Sequence, residues 1–263
     1  MIWFVGAGPG DPELITVRGR RLLEEADVVV YAGSLVPEAV LRWTRDDCAL
    51  HDSAAMTLGD QIEVMASAHA AGKAVVRLHT GDPSLYGAIA EQMRALRERG
   101  VDFAVVPGVS SFTAAAAALP AELTAPGVSQ TVIVTRQPGR TPVPPGQEIA
   151  GLAAHGATMA IFLSAGDISG TVAALLEHYP ADTAAAIVQR ASWPQQLVLR
   201  GTLETIAAQA ATAGVDRTAM ILVGDALRGE GEASLLYDPG FTHGHRRAGG
   251  RGAARRSEGG PPR

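Results

Sequence analysis

The chain has 263 residues, of which 47% are hydrophobic and 19% are charged. This composition supplies enough apolar material for one large or two modest domains and excludes a disordered chain. The single cysteine, Cys48, excludes a disulfide framework and any multi-cysteine metal site within one chain. The sequence has neither an apolar run long enough to span a bilayer nor a basic, cleavable leader, so we expect a cytoplasmic protein with no membrane segment.

The charge is unevenly distributed along the chain, whose formal net charge is −5. Residues 241–263 hold six arginines and one glutamate, which leaves the rest of the chain with 16 basic and 26 acidic side chains and a net charge of −10. A protein with this negative net charge is expected to bind nucleic acids poorly, because affinity for a duplex depends on neutralising its phosphates. The Gly/Arg/Pro-rich segment 238–263 is predicted to be a disordered tail.

The first half of the sequence alternates β-rich runs with stretches of helical periodicity. We predict strands over residues 2–7, 28–31, 74–78 and 103–106. We predict helices over residues 16–27, 60–71, 87–99 and 112–119. Strands that alternate with helices indicate βαβ units, so we expect a mostly parallel sheet.

The pattern changes after an irregular stretch over residues 120–130. The second half has predicted strands over residues 131–135, 159–163, 185–188, 197–199 and 219–223, and a predicted helix over 168–178. Two of these runs, 185–188 and 197–199, are close enough to pair as a hairpin, which predicts a mixed sheet. We therefore predict two α/β domains, residues 1–119 and 120–237, ahead of the tail.

Three segments rich in glycine and proline follow three of the predicted strands in the first half. They are residues 6–13 (GAGPGDPE), 80–83 (TGDP) and 107–111 (PGVSS). In an open α/β sheet, ligands bind beyond the carboxyl ends of the strands, where these loops would meet. Each loop alone is also typical of a plain structural turn, but together they predict one wall of a small-molecule site.

The first of these loops departs from the dinucleotide-binding pattern G-x-G-x-x-G. Asp11 occupies the position of the third glycine, and Pro9 lacks a backbone N–H that a phosphate could use. Residues 32–34 (AGS), after the second strand, include no acid to bind a ribose. The sequence also lacks the Gly-Lys-Ser/Thr of a P-loop. This pattern favours a cofactor that is not a polyphosphate.

Four segments resemble, in the same order, the motifs of the tetrapyrrole methylase family, whose members use S-adenosylmethionine. They are residues 6–16 (GAGPGDPELIT), 26–31 (ADVVVY), 81–83 (GDP) and 106–111 (VPGVSS). The resemblance covers about residues 1–225. It implies two α/β domains, with S-adenosylmethionine in the cleft between them, and a homodimer.

Further segments are most similar to the branch of this family that methylates C11 of precorrin-4 in cobalamin biosynthesis. They are residues 31–36 (YAGSLV), 51–54 (HDSA), 129–136 (SQTVIVTR) and 138–144 (PGRTPVP). The resemblance implies direct transfer of the sulfonium methyl group to an electron-rich ring carbon, which the protein aligns and shields from water. A cobalt-bearing precorrin-4 and another ring position stay open as alternatives.

The resemblance also implies cofactor contacts in both domains. They are Pro9, Thr80, Gly81, Asp82, Leu85, Ser110, Ser111, Leu163, Ala191, Thr218, Ala219 and Met220. Asp82 is expected to accept hydrogen bonds from the ribose or the amino group, and the two serines suit a carboxylate. The apolar residues Leu85, Leu163 and Met220 are expected to hold adenine, with ordinary core packing as the alternative.

A tetrapyrrole carries several carboxylates, which an acidic body cannot attract by its net charge. We therefore expect arginines to bind them through bidentate hydrogen bonds. The predicted substrate-binding residues are Arg136, Arg140, Asp52 and Glu122, and further candidates are Arg77, Arg190 and Arg217. The alternatives are a solvated charge for each arginine and a capping or turn role for the two acids. No spacing indicates a metal site, and no general base is nominated.

Three functions of other classes stay open. An RNA methyltransferase of the same fold would have to bind RNA in spite of the acidic body. A nicotinamide-dependent oxidoreductase would have to bind its cofactor without the glycine pattern and the ribose acid. A non-catalytic carrier of the tetrapyrrole would not need S-adenosylmethionine.

Overall fold

The computed structural model describes residues 1–139, 141–238 and 240–247, which form two α/β halves. The strands among these residues are β1 (Ile2–Gly6), β2 (Val28–Tyr31), β3 (Ala49–Asp52), β4 (Val75–His79), β5 (Phe103–Val106), β6 (Val132–Arg136), β7 (Thr158–Phe162), β8 (Ala184–Gln189), β9 (Leu197–Thr202) and β10 (Ala219–Val223). The helices are α1 (Val17–Glu24), α2 (Glu38–Leu41), α3 (Leu58–Ala70), α4 (Ile89–Glu98), α5 (Ser111–Ala118), α6 (Ile149–Ala153), α7 (Ile168–Leu175) and α8 (Ile206–Thr212).

The predicted tail falls mostly outside the described residues, which exclude Pro239 and residues 248–263. In its described part, the Arg246 side chain donates hydrogen bonds to the backbone carbonyls of Leu236 and Asp238, at 2.6 and 2.7 Å. Among the residues described, no helix has the length and hydropathy required to cross a membrane.

The N-terminal sheet is parallel throughout, in the order β3-β2-β4-β1-β5. The four strands predicted in this half and their parallel pairing are confirmed. Strand β3 was not predicted from the sequence. It is a four-residue edge strand in which all but one residue is exposed. Its sequence, ALHD, contains none of the β-branched or aromatic residues that are typical of strands, so nothing in the pattern indicates it.

The C-terminal sheet is mixed, in the order β6-β7-β10-β8-β9. β6 runs parallel to β7, and the other neighbouring strands are antiparallel. The predicted hairpin is confirmed by the pairing of β8 with β9, in which Val188 lies opposite Val198. Helices α2, α6 and α8 were missed, because segments of four to seven residues are too short to display the helical period.

Helix α5 joins the two halves. It follows the last strand of the N-terminal sheet, but its Ala114 and Ala115 pack with Ala186, Val188 and Leu222 of the C-terminal sheet. Because these alanine side chains are small, the helix lies close against the sheet and buries apolar surface from both halves. This packing fixes which face of the C-terminal sheet is turned toward the loops of the N-terminal sheet.

Three loops meet, backbone against backbone, beyond the carboxyl ends of β1, β4 and β5. A Cβ atom on Gly6 would lie 2.6 Å from both the Cα of Gly108 and the carbonyl oxygen of Gly81. A Cβ on Gly108 would lie only 2.1 Å from that oxygen. Two hydrogen bonds between the backbones of Gly8 and Gly81, at 3.3 and 2.8 Å, complete the contact. Only residues without a side chain permit this approach.

The variant Gly108→Ala tests this close approach. Its Cβ would displace the carbonyl group of Gly81, so we expect the free energy of unfolding in urea to fall by about 1–3 kcal/mol, the usual cost of overpacking. Gly151→Ala is the matched control, because Gly151 lies in α6 with nothing within 4 Å of a Cβ. Alanine there should stabilise the helix by about 0.5–1 kcal/mol. Unchanged stability of Gly108→Ala would contradict the packing described here.

Candidate active site

A cavity of about 520 Å³ lies between the two halves, where the loops after β1, β4 and β5 emerge. Its volume falls within the range of about 300–1,000 Å³ that is typical of small-molecule sites. Every residue that the resemblance assigned to the cofactor contributes to its lining. These residues are Pro9, Thr80, Gly81, Asp82, Leu85, Ser110, Ser111, Leu163, Ala191, Thr218, Ala219 and Met220. Their role as cofactor contacts stays a prediction, but the structure brings all of them to one cavity.

The start of helix α5 forms part of the N-terminal wall. Ser110 is the N-cap residue and Ser111 is the first helical residue, and none of the described side chains caps this end. The first N–H groups of a helix have no partner within the helix, and the helix dipole favours a negative charge beside them. This part of the wall is suited to bind a carboxylate.

Asp82 ties two of the pocket loops together. Its Oδ2 accepts a hydrogen bond from the N–H of Gly108 at 2.9 Å, and its Oδ1 accepts from the N–H of Ser84 at 2.8 Å and from the Ser84 hydroxyl. Burial alone would raise the pKa of Asp82, but the hydrogen bonds from Ser84 and Gly108 outweigh it and hold the pKa below its usual value. The expected ribose contact stays a prediction, and the structure adds a role in joining the loops.

The C-terminal wall contains three non-glycine residues with left-handed backbone conformations. Leu163 (φ 54°), Arg190 (φ 49°) and Thr218 (φ 50°) all line the cavity. For an ordinary residue this conformation costs about 1–2 kcal/mol, and such strain concentrates at functional sites. The Leu163 side chain is nevertheless 73% exposed, so it presents uncovered apolar surface to the cavity, whereas Met220 is buried at 4% exposure. Core packing therefore accounts for Met220 but not for Leu163.

Sequence analysis missed a contact that holds the first glycine-rich loop against the C-terminal half. The Trp193 side-chain Nε1 donates a hydrogen bond to the carbonyl of Pro9 at 2.9 Å, and the N–H of Asp11 donates to the Ser192 hydroxyl at 2.9 Å. The Trp193 ring lies so close to Gly10 that a Cβ there would be 2.0 Å away. These partners are more than 180 residues apart, and no local pattern links them.

Several other lining residues also escaped the sequence analysis. They are Ser34, Leu35, Tyr86, Phe162, Ala165, Gly166, Val188 and Asp216. The rings of Tyr86 and Phe162, one from each half, have centroids 5.0 Å apart. Burial raises the pKa of Tyr86, and the positive charge of Arg136 offsets part of this effect. Within the described ranges, no group of three or more His, Cys, Asp or Glu side chains is placed to hold a metal ion.

None of the predicted substrate-binding residues that the structure describes belongs to the lining of the cavity. Arg136 donates three hydrogen bonds, at 2.9–3.2 Å, to backbone carbonyls of residues 137–142. Asp52 accepts two backbone N–H hydrogen bonds at 2.9 Å each, which fits the turn role that was its alternative. Glu122 is exposed and is not among the lining residues, and Arg140 lies outside the described residues. Their contact with a substrate stays a prediction.

Two of the three further arginines line the cavity. Arg190 and Arg217 flank Asp216, which accepts hydrogen bonds from the guanidinium of Arg217 at 3.0 and 2.9 Å. These hydrogen bonds, with the nearby charge of Arg190, hold the pKa of Asp216 below its usual value. Arg77 is instead buried within β4, where burial lowers its pKa to about 10.

The variant Asp82→Asn tests the carboxylate that joins the loops. We expect the free energy of unfolding at neutral pH to fall by about 1 kcal/mol, a modest loss because the carboxylate is partly exposed to water. The folded-state pKa lies below the unfolded value of about 3.9, so the stabilisation is fully present above that pH and is lost as the pH falls through the folded-state pKa.

Urea unfolding between pH 7 and pH 3 should therefore show the difference between wild type and Asp82→Asn shrinking at the acid end. Asp102→Asn is the control. This exposed carboxyl precedes β5 and therefore lies at the amino ends of the parallel strands, whereas Asp82 lies at their carboxyl ends. A difference that stays constant over this pH range would contradict the assigned hydrogen bonds.

Comparison with known proteins shows which family this chain is similar to. The model of the family Tetrapyrrole (Corrin/Porphyrin) Methylases matches residues 1–207. A cobalt-precorrin-4 C(11)-methyltransferase of Methanocaldococcus jannaschii is 50% identical over 246 residues, covering 93% of this chain and 95% of the relative. A precorrin-4 C(11)-methyltransferase of Pseudomonas aeruginosa is 48% identical over 243 residues, covering 92% and 97%.

Solved structures share the same architecture. The X-ray structure of a cobalamin biosynthetic enzyme, a cobalt precorrin-4 methyltransferase, matches with a TM-score of 0.84 and 44% identity over 86% of this chain and 95% of that chain. A uroporphyrin-III C-methyltransferase from Thermus thermophilus, complexed with S-adenosylhomocysteine, matches with a TM-score of 0.73 and 28% identity over 87% and 99%. The predicted two-domain α/β fold is confirmed, and the chain belongs to the tetrapyrrole (corrin/porphyrin) methylase family.

Proposed function

We propose that this chain transfers a methyl group from S-adenosylmethionine to C11 of precorrin-4. The observation that carries the proposal is the convergence of all the predicted cofactor contacts, from both halves, on one cavity. Relatives that are 48–50% identical over nearly the whole chain, and are named for this reaction, support the ring position. The names of these relatives argue against the oxidoreductase and the carrier, and together with the acidic net charge of the chain they argue against the RNA methyltransferase.

The groups that line the cavity are suited to the chemical parts of S-adenosylmethionine. Leu85 and the exposed Leu163 offer apolar surface to adenine from opposite halves of the molecule. The uncapped N–H groups at the start of α5, beside Ser111, suit the carboxylate of the methionine portion. Gly81 lines the same wall with no side chain, so a ligand can approach its backbone closely.

The contribution of the protein to the reaction is to align the reacting groups. When bound, S-adenosylmethionine supplies a methyl group on a sulfonium, whose sulfur keeps the bonding electron pair as the ring carbon forms the new C–C bond. Loops joined by Asp82 and by the contact between Trp193 and Pro9 keep the walls fixed while the two ligands meet. Orientation of this kind can lower the activation free energy by on the order of 7–11 kcal/mol in well-aligned reactions.

Arginines at the cavity are suited to bind the carboxylates of the tetrapyrrole. Arg190 and Arg217 belong to the lining, although Arg217 already donates two hydrogen bonds to Asp216. Arg136 is close enough to Tyr86 for its charge to affect the phenol. Guanidinium groups bind carboxylates through paired hydrogen bonds, which offset the unfavourable net charge of the acidic body. Family membership further supports a homodimer that works in the cytoplasm.

A methyl-transfer assay tests the proposed function. The purified protein is incubated with methyl-labelled S-adenosylmethionine and either precorrin-4 or cobalt-precorrin-4, because relatives are named for each substrate. Product mass and the position of the label are then read by mass spectrometry and NMR. We expect one added methyl group at C11, and Asp102→Asn, outside the cavity, should retain the activity.

The outcomes of this assay separate the parts of the proposal. Transfer to another carbon would contradict the C11 assignment while leaving the family reaction in place. If the protein binds S-adenosylhomocysteine but transfers no methyl group to either compound, the proposed substrate is wrong. No binding of S-adenosylhomocysteine would contradict the methyltransferase function itself.

The variant Leu163→Asn should separate binding from stability. Asparagine tolerates the left-handed backbone better than leucine, so the free energy of unfolding should stay unchanged or rise by about 0.5–1 kcal/mol. Loss of the apolar contact should weaken S-adenosylhomocysteine binding about tenfold, or 1.4 kcal/mol, measured by isothermal titration calorimetry. In the control Leu50→Asn, within β3, stability should fall and affinity should not change. If Leu163→Asn binds S-adenosylhomocysteine with wild-type affinity, the proposed contact between Leu163 and the cofactor is wrong.

A further inference from the structure

An arginine is buried inside the N-terminal sheet, behind the loop that supplies Leu85 and Tyr86 to the cavity. Arg77, in β4, is only 6% exposed. In the described part of the chain, no ion pair joins its guanidinium to a carboxylate. A buried charge without a counter-ion is unfavourable, so its hydrogen-bond partners must account for its presence.

Those partners connect Arg77 to helix α4. Its Nε donates a hydrogen bond to the side-chain oxygen of Gln92 at 3.1 Å, and a second guanidinium nitrogen donates to the carbonyl of Val30 at 3.1 Å. Gln92 is itself buried at 4% exposure, and its Nε2 donates to the carbonyl of Ala88 at 3.3 Å. The glutamine amide thus accepts at one end and donates at the other, which links strand β4 to Ala88, the residue immediately before α4.

Ala88 ends a strained loop. It has a left-handed conformation (φ 49°, ψ 31°) at the N-cap of α4, where none of the described side chains forms a capping hydrogen bond to the first turn. Tyr86 is also left-handed, with φ 56°. Between them, Gly87 packs so tightly that a Cβ would lie 2.3 Å from the carbonyl oxygen of Pro83. The loop 83–88 therefore adopts a conformation that its own residues disfavour, and surrounding contacts must hold it.

We propose that Arg77 and Gln92 are positioning residues that hold the carbonyl of Ala88, and through it the loop that places Leu85 and Tyr86 in the cavity wall. This inference rests on the proposed function, because its effect is read as affinity for the cofactor product. The donor end of the Gln92 amide is the essential element, since it is the group that reaches Ala88. Arg77 orients that amide by occupying its acceptor end.

The variant Gln92→Glu separates positioning from stability. A glutamate still accepts the hydrogen bond from Arg77 and gives the buried cation a counter-ion, so the melting temperature should equal or exceed that of wild type. It cannot donate to the carbonyl of Ala88. We therefore expect S-adenosylhomocysteine to bind about fivefold or more weakly, measured by isothermal titration calorimetry. Glu91→Gln, at an exposed position in the first turn of the same helix, is the control and should leave the affinity unchanged.

The outcomes distinguish this inference from the proposed function. Wild-type affinity in a folded Gln92→Glu variant would overturn the positioning role while leaving the proposed function intact. Failure of the wild-type protein to bind S-adenosylhomocysteine would overturn the proposed function and this inference with it. Weaker binding together with a retained melting temperature would support the positioning role, because a merely structural residue would not separate the two.

If Gln92→Glu does not fold, a double-mutant cycle tests the positioning role instead. Gln92→Leu removes both hydrogen bonds of the amide, and Ala88→Gly removes the left-handed strain that those bonds hold in place. We expect Gln92→Leu to weaken S-adenosylhomocysteine binding severalfold in the wild-type background and much less in the Ala88→Gly background. Equal losses of affinity in both backgrounds would overturn the inference.

Discussion

Backbone-to-backbone packing of Gly6, Gly81 and Gly108 determines where the cavity forms. Each glycine ends or follows a different strand of the parallel sheet. A Cβ added to Gly6 or Gly108 would come within 2.1–2.6 Å of a neighbouring backbone atom, and Gly81 has a left-handed backbone with φ 61°. Because the loops approach so closely, Asp82 can reach from one loop to the N–H of Gly108 in the next. The same approach brings Ser110 and Ser111, at the start of α5, to the wall of the cavity.

The second half of the molecule completes the cavity at the expense of local strain. Helix α5 packs its alanines against the C-terminal sheet, which brings the ends of that sheet over the three loops. At these ends, Leu163, Arg190 and Thr218 have left-handed conformations, and Leu163 is exposed. The rest of the fold supplies the stability that offsets this strain.

The sequence predicts those parts of the molecule that local patterns encode. Alternating strands and helices predicted the parallel sheet, and glycine-rich turns after three strands predicted the wall that Gly81 and Asp82 help to form. Resemblance to a family was needed to include the second half in the site, because Leu163 and Ala191 lie in no recognisable turn pattern of their own.

Other features could not be predicted because they depend on tertiary contacts. The left-handed conformation of Leu163 contradicts the intrinsic preference of leucine, so only the folded chain imposes it. The hydrogen bond between Trp193 and Pro9 joins positions with no local relation. The hydrogen bonds of Asp82 to its own loop and to the next depend on side-chain rotamers. Strand β3 is specified by its neighbour β2 rather than by its own residues.

A crystal structure of the protein with S-adenosylhomocysteine would show where the cofactor binds. We expect electron density for the ligand between the two halves, with adenine against Leu85 and Leu163 and the carboxylate at the start of α5. Density at another surface, with this cavity filled only by solvent at a saturating ligand concentration, would contradict this expectation.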